Sequence, residues 1–275
     1  MSTNASPFVR TLVQDRRFAE SAIALWGGQS ISVEGIVGGS CALAAASLFQ
    51  FGNGSMVIIT PNADTAEQVA NDLDLFLPFE YRLNENTEYP LFIFLFPPMT
   101  QHDVESESAL TIADESFGER INVLKQLVNP TKQHSIVVVS MSALLQPVPP
   151  PELLKERTRT LAVNNRVDLE SLCRFLVEGG YHSTTAVDLP GEFAVRGYIL
   201  DLFAPDWEQP VRVEFFSDEI ESIRRFDLTT QRSSAKIEKI DLTRLQPYEC
   251  IGASLLDYFS QSVPIILVEP ASDTH

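Results

Sequence analysis

Residues Gly35 to Ala42, GIVGGSCA, have the outline of a phosphate-binding loop, set between an apolar run and a small-residue helix. In a working loop of the form G-x-x-x-x-G-K-[ST], backbone N–H groups cradle phosphates, the lysine reaches the β/γ-phosphates and the hydroxyl holds magnesium. Here the first glycine, Gly35, remains and Gly38 falls inside the loop, but Ser40 stands where the last glycine belongs, Cys41 replaces the lysine and Ala42 replaces the hydroxyl. Such a site closes with an acidic pair after an apolar strand. The candidate is Val268-Glu269-Pro270, with Val268 where the magnesium-binding aspartate is required. Two signatures damaged together describe a nucleotide site that does not bind, with no catalytic residue, metal or cofactor expected. A glycine turn between strand and helix also arises for purely geometric reasons.

A second constellation lies in Val211-Arg212-Val213-Glu214-Phe215-Phe216. Period-two alternation puts Val211, Val213 and Phe215 on one face and Arg212, Glu214 and Phe216 on the other. If the first face is core, a phenylalanine is presented beside an arginine and a glutamate, a grouping typical of protein-binding anchors. Arg196, just before Gly197, would lie beside Arg212 if its strand pairs with this one. The alternative is a phenylalanine covered by a neighbouring helix, with solvated arginines.

The elements that must position these residues change character along the chain. A helical pattern over about Phe8 to Trp26 leads to an expected strand, Ile31 to Ile36, and a helix from Ser40. A strand follows over Met56 to Thr60, then a helix with Asp64 and Glu67 spaced as in a capping box. After TEYPLFIFLFPP, read as irregular, come a helical pattern over about Ser106 to Val128 and a strand over Ser135 to Val139. Strands alternating with helices predict βαβ units and a buried, mostly parallel sheet. The prolines Pro149 to Pro151 mark a boundary. Beyond it one helix, Asp168 to Glu178, precedes the short strands EFAVR, YILDLF, VRVEFF, IESIRRF and AKIEKIDL, which predict an α+β domain with an antiparallel sheet. From about Leu245 a helix over Ala253 to Phe259 and the strand VPIILVEP are expected. That strand must join the first sheet or belong to a further domain.

Composition bounds the function. The 275 residues, 44% apolar and 21% charged, suit two soluble globular units, and neither a membrane span nor a signal peptide is read. Three scattered cysteines, Cys41, Cys173 and Cys250, fit neither disulfides nor paired metal ligands, and a cytoplasmic location is expected. A net charge of -17 weighs against nonspecific nucleic-acid binding. Most of the arginines lie between residues 148 and 245, where contacts to an anion or an acidic protein should be sought.

The motif running through GEFAVRG, DLF, RVEFF, DEIESIR and FDLTTQRS closely resembles the amino-terminal region of the bacterial transcription-repair coupling factor family, Mfd, itself similar to the excision-repair helicase subunit UvrB. The resemblance extends more weakly to VIITPNADTAEQVANDL and SIVVVSMSALLQPV. It implies a degenerate P-loop, helicase-like (RecA-like) α/β domain over 1–147, an inserted α+β domain over 148–244, and the start of the chain's return to the first domain over 245–275. The chain would then be a piece of a longer ATP-dependent DNA translocase, which meets RNA polymerase and DNA through other regions.

In this family the inserted domain recruits the damage-sensing ATPase UvrA through two arginines and a phenylalanine. These fall on Arg196, Arg212 and Phe216, and Glu214 shares their face. The resemblance thus implies a non-catalytic adaptor. A nucleotide-dependent, DNA-binding helicase domain like UvrB is the alternative. A third reading, compatible with the first, has the module dock on the rest of its own polypeptide and hide the UvrA surface. The tyrosine-rich hairpin with which UvrB grips DNA has no convincing counterpart in the segment TEYPLFIFLFPPMTQHDVESESA.

Overall fold

The computed structural model describes residues 6–52, 54–77, 91–99, 114–129, 134–259 and 263–269. Its contacts divide the chain into two compact units, one of residues 1–98, 123–146 and 255–275, the other of residues 99–122 and 147–254.

In the first unit the periodic stretch Phe8 to Trp26 is two helices, α1 (Pro7–Gln14) and α2 (Arg16–Trp26). Asp15 separates them: its backbone is extended, and its carboxylate accepts from the Phe18 N–H at 2.9 Å. The cap signal outweighs the continuous helical period. Helix α3 (Gly39–Phe49) is rich in alanine, and the burial of Ala42, Ala44, Ala45 and Ala46 brings its backbone close to its neighbours. Strand β1 (Met56–Thr60) follows, then α4 (Ala63–Phe76). The α4 cap is Asn62, which accepts from Thr65 N–H at 2.8 Å, so Asp64 lies inside the first turn rather than heading a capping box.

Strand β2 (Phe92–Phe96) lies within the segment expected to be irregular. Its run of apolar residues lacks polar alternation, yet Pro90 and Pro97 bound it as they would an edge strand. Helix α5 (Glu115–Val128) is the described part of the pattern expected from Ser106. Residues 78–90 and 100–113, with much of the acidic segment, lie outside the described residues. Strand β3 (Ser135–Ser140) and the short helix α6 (Met141–Leu144) complete this stretch.

The sheet is parallel, in the order β12-β1-β3-β2, where β12 is Ile265–Leu267. The final apolar strand therefore joins the first sheet. All residues of β1 and β3 are buried, as parallel strands covered on both faces must be. Their core includes Phe49, Met56, Ile58, Leu73 and Ile136, and each such side chain contributes about 1.5–3 kcal/mol by leaving water.

The strand expected over Ile31 to Ile36 does not form. Among the described residues the run takes up no ladder partner, and Gly35, at φ 77°, turns the backbone out of the extended region after four residues.

The second unit takes in α5 as far as Asn122 and, after residue 146, α7 (Pro151–Arg157) and β4 (Thr158–Ala162). Helix α8 (Leu169–Glu178) is capped by Asp168, which accepts from Ser171 N–H at 2.8 Å, and it buries Leu172 and Leu176. A six-stranded sheet has the order β10-β9-β8-β7-β6-β5. Its strands are β5 (His182–Ser183), β6 (Glu192–Arg196), β7 (Ile199–Phe203), β8 (Val211–Phe216), β9 (Glu219–Phe226) and β10 (Ser233–Ile237). All neighbours are antiparallel except β5 and β6.

AKIEKIDL is not one strand but parts of two: β10 ends at Ile237, and β11 (Lys239–Thr243) pairs with β4 in a separate sheet. The expected helix over Ala253 to Phe259 is a single 3₁₀ turn, Leu255–Tyr258.

Candidate protein-binding surface

The glycine-rich stretch Gly35 to Ala42 forms a turn at the head of a helix. Gly35 and Gly38 have φ of 77° and 55°, and Gly38 stands at the head of α3. The Ser40 hydroxyl accepts from Val37 N–H at 2.9 Å and donates to Val37 O at 2.7 Å, so it closes the loop on itself. Cys41 is half-buried, and desolvation pushes its thiol above the usual range, which keeps it neutral where an ammonium would be needed. Ala42 is fully buried in the core against which Val268 packs, and Glu269 is exposed. A methyl group on Gly39 would come within 3.2 Å of the Asp72 carboxylate. The loop thus has a carboxylate as neighbour, a poor setting for a triphosphate.

The strand β8 has the expected faces. Val211, Val213 and Phe215 are buried, Arg212 and Glu214 are half-buried, and Phe216 is 77% exposed. Phe216 lies opposite Glu219 beside the turn to β9, where Ser217 takes φ 59°. No helix covers it.

Arg196 is not beside Arg212 as a pairing of β6 with β8 would require. Strand β7 lies between them, because GYILDLF returns as its own strand in the hairpin after Gly197. The register places Arg196, Ile199, Glu214 and Ser222 in one row across β6 to β9, and Ala194, Asp201, Arg212 and Arg224 in the next. Opposed residues in such a ladder point to the same side, so both rows share the face that carries Phe216.

Within this face the side chains are held differently. Arg196 is exposed and donates from Nη2 to Thr185 O at 3.0 Å. Arg212 makes a two-pronged contact with Asp201, Nε to Oδ1 at 2.7 Å and Nη2 to Oδ2 at 2.8 Å. Its guanidinium also lies 4.9 Å from the centre of the Phe226 ring. The bond to Asp201 raises the arginine's pKa further above its ordinary value. Glu214 accepts from the Ser222 hydroxyl at 2.6 Å and lies 3.5 Å from Arg224 Nη2.

Asp201, only 2% exposed, is the residue that strand alternation did not single out. The signal was present: a lone carboxylate in the apolar run ILDLF must find a cation if it is buried. Ile199, 37% exposed between Arg196 and Glu214, adds an apolar patch to the same face. The arrangement offers one pre-oriented guanidinium, one exposed guanidinium and an unburied aromatic ring, which together suit a protein partner.

Residues 160–248 match the family model described as the UvrB interaction domain. The chain is 30% identical over 243 residues, 88% of its length, to the transcription-repair-coupling factor of Staphylococcus haemolyticus strain JCSC1435. It is 29% identical over 238 residues, 86% of its length, to that of Staphylococcus aureus strain MRSA252. In both cases it spans 19% of the relative's length. Residues 160–248 are thus similar to the UvrB interaction domain, within a chain that over most of its length resembles a stretch of the transcription-repair-coupling factors.

Proposed function

We propose that this chain is a non-catalytic module of a transcription-repair coupling factor that recruits UvrA to stalled RNA polymerase in transcription-coupled nucleotide excision repair. The single observation that carries the reading is the Phe216 ring, 77% exposed on the face where Asp201 aligns Arg212, within the stretch matched to the UvrB interaction domain. Arg196, Arg212 and Phe216 contact UvrA, and Glu214 contributes from the same face. Phe216 fills an apolar pocket of the partner, and Arg196 pairs with a carboxylate. Arg212 already has its carboxylate in Asp201, so it presents its remaining N–H donors in a fixed direction.

The loop with Cys41 and Ala42 serves as a turn and takes no nucleotide. In this reading ATP-dependent translocation on DNA and the grip on RNA polymerase belong to other parts of a longer cytoplasmic protein. Among the described residues no helix is long and apolar enough to cross a membrane. Calorimetric titration of the chain with UvrA tests the reading. Saturable binding that is lost in an Arg196→Ala/Phe216→Ala variant supports it, and absence of binding by the unaltered chain overturns it.

A further inference from the structure

The row containing Arg212 does not end at β9. Arg212 lies directly opposite Arg224, and Arg224 lies directly opposite Lys236 on β10. Three cationic side chains on three adjacent strands therefore share one face with Phe216. Like charges placed directly opposite one another in a ladder are destabilising. Only the first has a full internal counter-charge, in Asp201. Arg224 has Glu214 at 3.5 Å, and its Nε–H is buried without an acceptor. Lys236 is exposed, on the strand at the open edge of the sheet.

We propose that the partner-binding surface continues along this row to Lys236, and that an acidic segment of UvrA lies across Arg212, Arg224 and Lys236. The inference rests on the proposed function and adds the chemistry of the partner's complementary surface. Carboxylates of a protein fit better here than the phosphates of a nucleic acid. The chain carries a net charge of -17, which repels a polyanion at distance, whereas a short acidic segment feels only the local row. Phe216 lies on the same face, beyond the intervening row of Glu214 and Ser222, and its apolar ring suits a folded partner with a pocket. A partner carboxylate near Arg224 and Lys236 would relieve the like-charge opposition that the free chain tolerates.

The test compares Lys236→Glu and Lys236→Ala with Lys239→Glu. Lys239 is also exposed, but it lies on β11 in the other sheet, so its reversal changes net charge equally away from the row. Titrations with purified UvrA at several salt concentrations, and with duplex DNA, supply the readouts. Lys236→Glu is expected to weaken UvrA binding by about tenfold and to flatten its salt dependence, Lys236→Ala by about threefold, and Lys239→Glu by less than about twofold. The melting temperature of Lys236→Ala should equal or exceed that of the unaltered chain, because a like-charge opposition is removed. A loss of affinity without loss of stability separates a binding role from a structural one.

Equal effects of the two reversals would reduce the row to net charge and overturn the proposal. So would unchanged UvrA affinity in both Lys236 variants, leaving Lys236 as a guard of the sheet edge, and so would DNA binding that depends on Lys236 while UvrA binding does not. If Lys236→Glu has no effect but Arg196→Ala/Phe216→Ala abolishes binding, the proposed function stands and the extension fails. If the unaltered chain does not bind UvrA, both fall.

Discussion

The Asp201 carboxylate, 2% exposed, accepts from both Nε and Nη2 of Arg212 at 2.7 and 2.8 Å, so the arginine at the centre of the proposed surface is held in one orientation by the fold itself. A pre-oriented guanidinium loses little freedom on binding. It also makes the arginine part of the fold, with consequences for mutagenesis.

Arg212→Ala would leave the Asp201 charge buried and unpaired, and a loss of about 3 kcal/mol in stability is expected. Asp201→Asn keeps the shape and leaves weaker hydrogen bonds, for an expected loss of about 1–3 kcal/mol. The double variant Asp201→Asn/Arg212→Ala should be more stable than Arg212→Ala alone. Urea unfolding of the four proteins measures the coupling, and additive losses would show that the pair does not act as a unit.

The strand that carries this surface was legible from its period: VRVEFF buries and exposes the residues that alternation assigns. Its partners were less so. Whether Arg196 lies beside Arg212 depends on where GYILDLF returns, and a strand's neighbour is set by hairpin closure rather than by its own pattern. The same limit explains Ile31 to Ile36, a run with strand composition that takes up no ladder. It also explains Phe92 to Phe96, where the absence of polar alternation concealed a strand of a parallel sheet. Asp201 was missed because the strand reading followed apolar residues and passed over the one carboxylate they surround.

The glycine-rich turn before α3 yields a second expectation. With a neutral thiol at Cys41, a buried methyl at Ala42 and the Asp72 carboxylate near Gly39, titration with Mg-ATP at millimolar concentration should give no saturable signal. Saturable binding that requires magnesium would contradict the reading of this loop and favour a nucleotide-dependent domain.

Cys250 gives a pH-dependent test of the second unit's core. Burial pushes its thiol up to about 12, against an ordinary value of 9.0, although the nearby Arg120 works in the opposite direction. Above about pH 9 the unfolded chain loses this proton and the folded chain keeps it, so the contribution of Cys250 to stability falls as pH rises. Arg120, lowered by burial to about 10, gives the opposite slope above that pH. Between pH 9 and pH 10 the unaltered protein should therefore lose more stability than Cys250→Ala, as read from denaturant midpoints. Parallel losses would show that the thiol is not shielded.

A Phe216 ring left 77% exposed does little for the fold. Phe216→Ala should change unfolding stability by less than about 0.5 kcal/mol. The most direct measurement is a calorimetric titration of UvrA with the unaltered chain and with Arg196→Ala/Phe216→Ala, beside their unfolding curves. Saturable binding is expected from the first, and its loss from a variant that unfolds at the same denaturant concentration. Equal affinity of the two proteins for UvrA would contradict it.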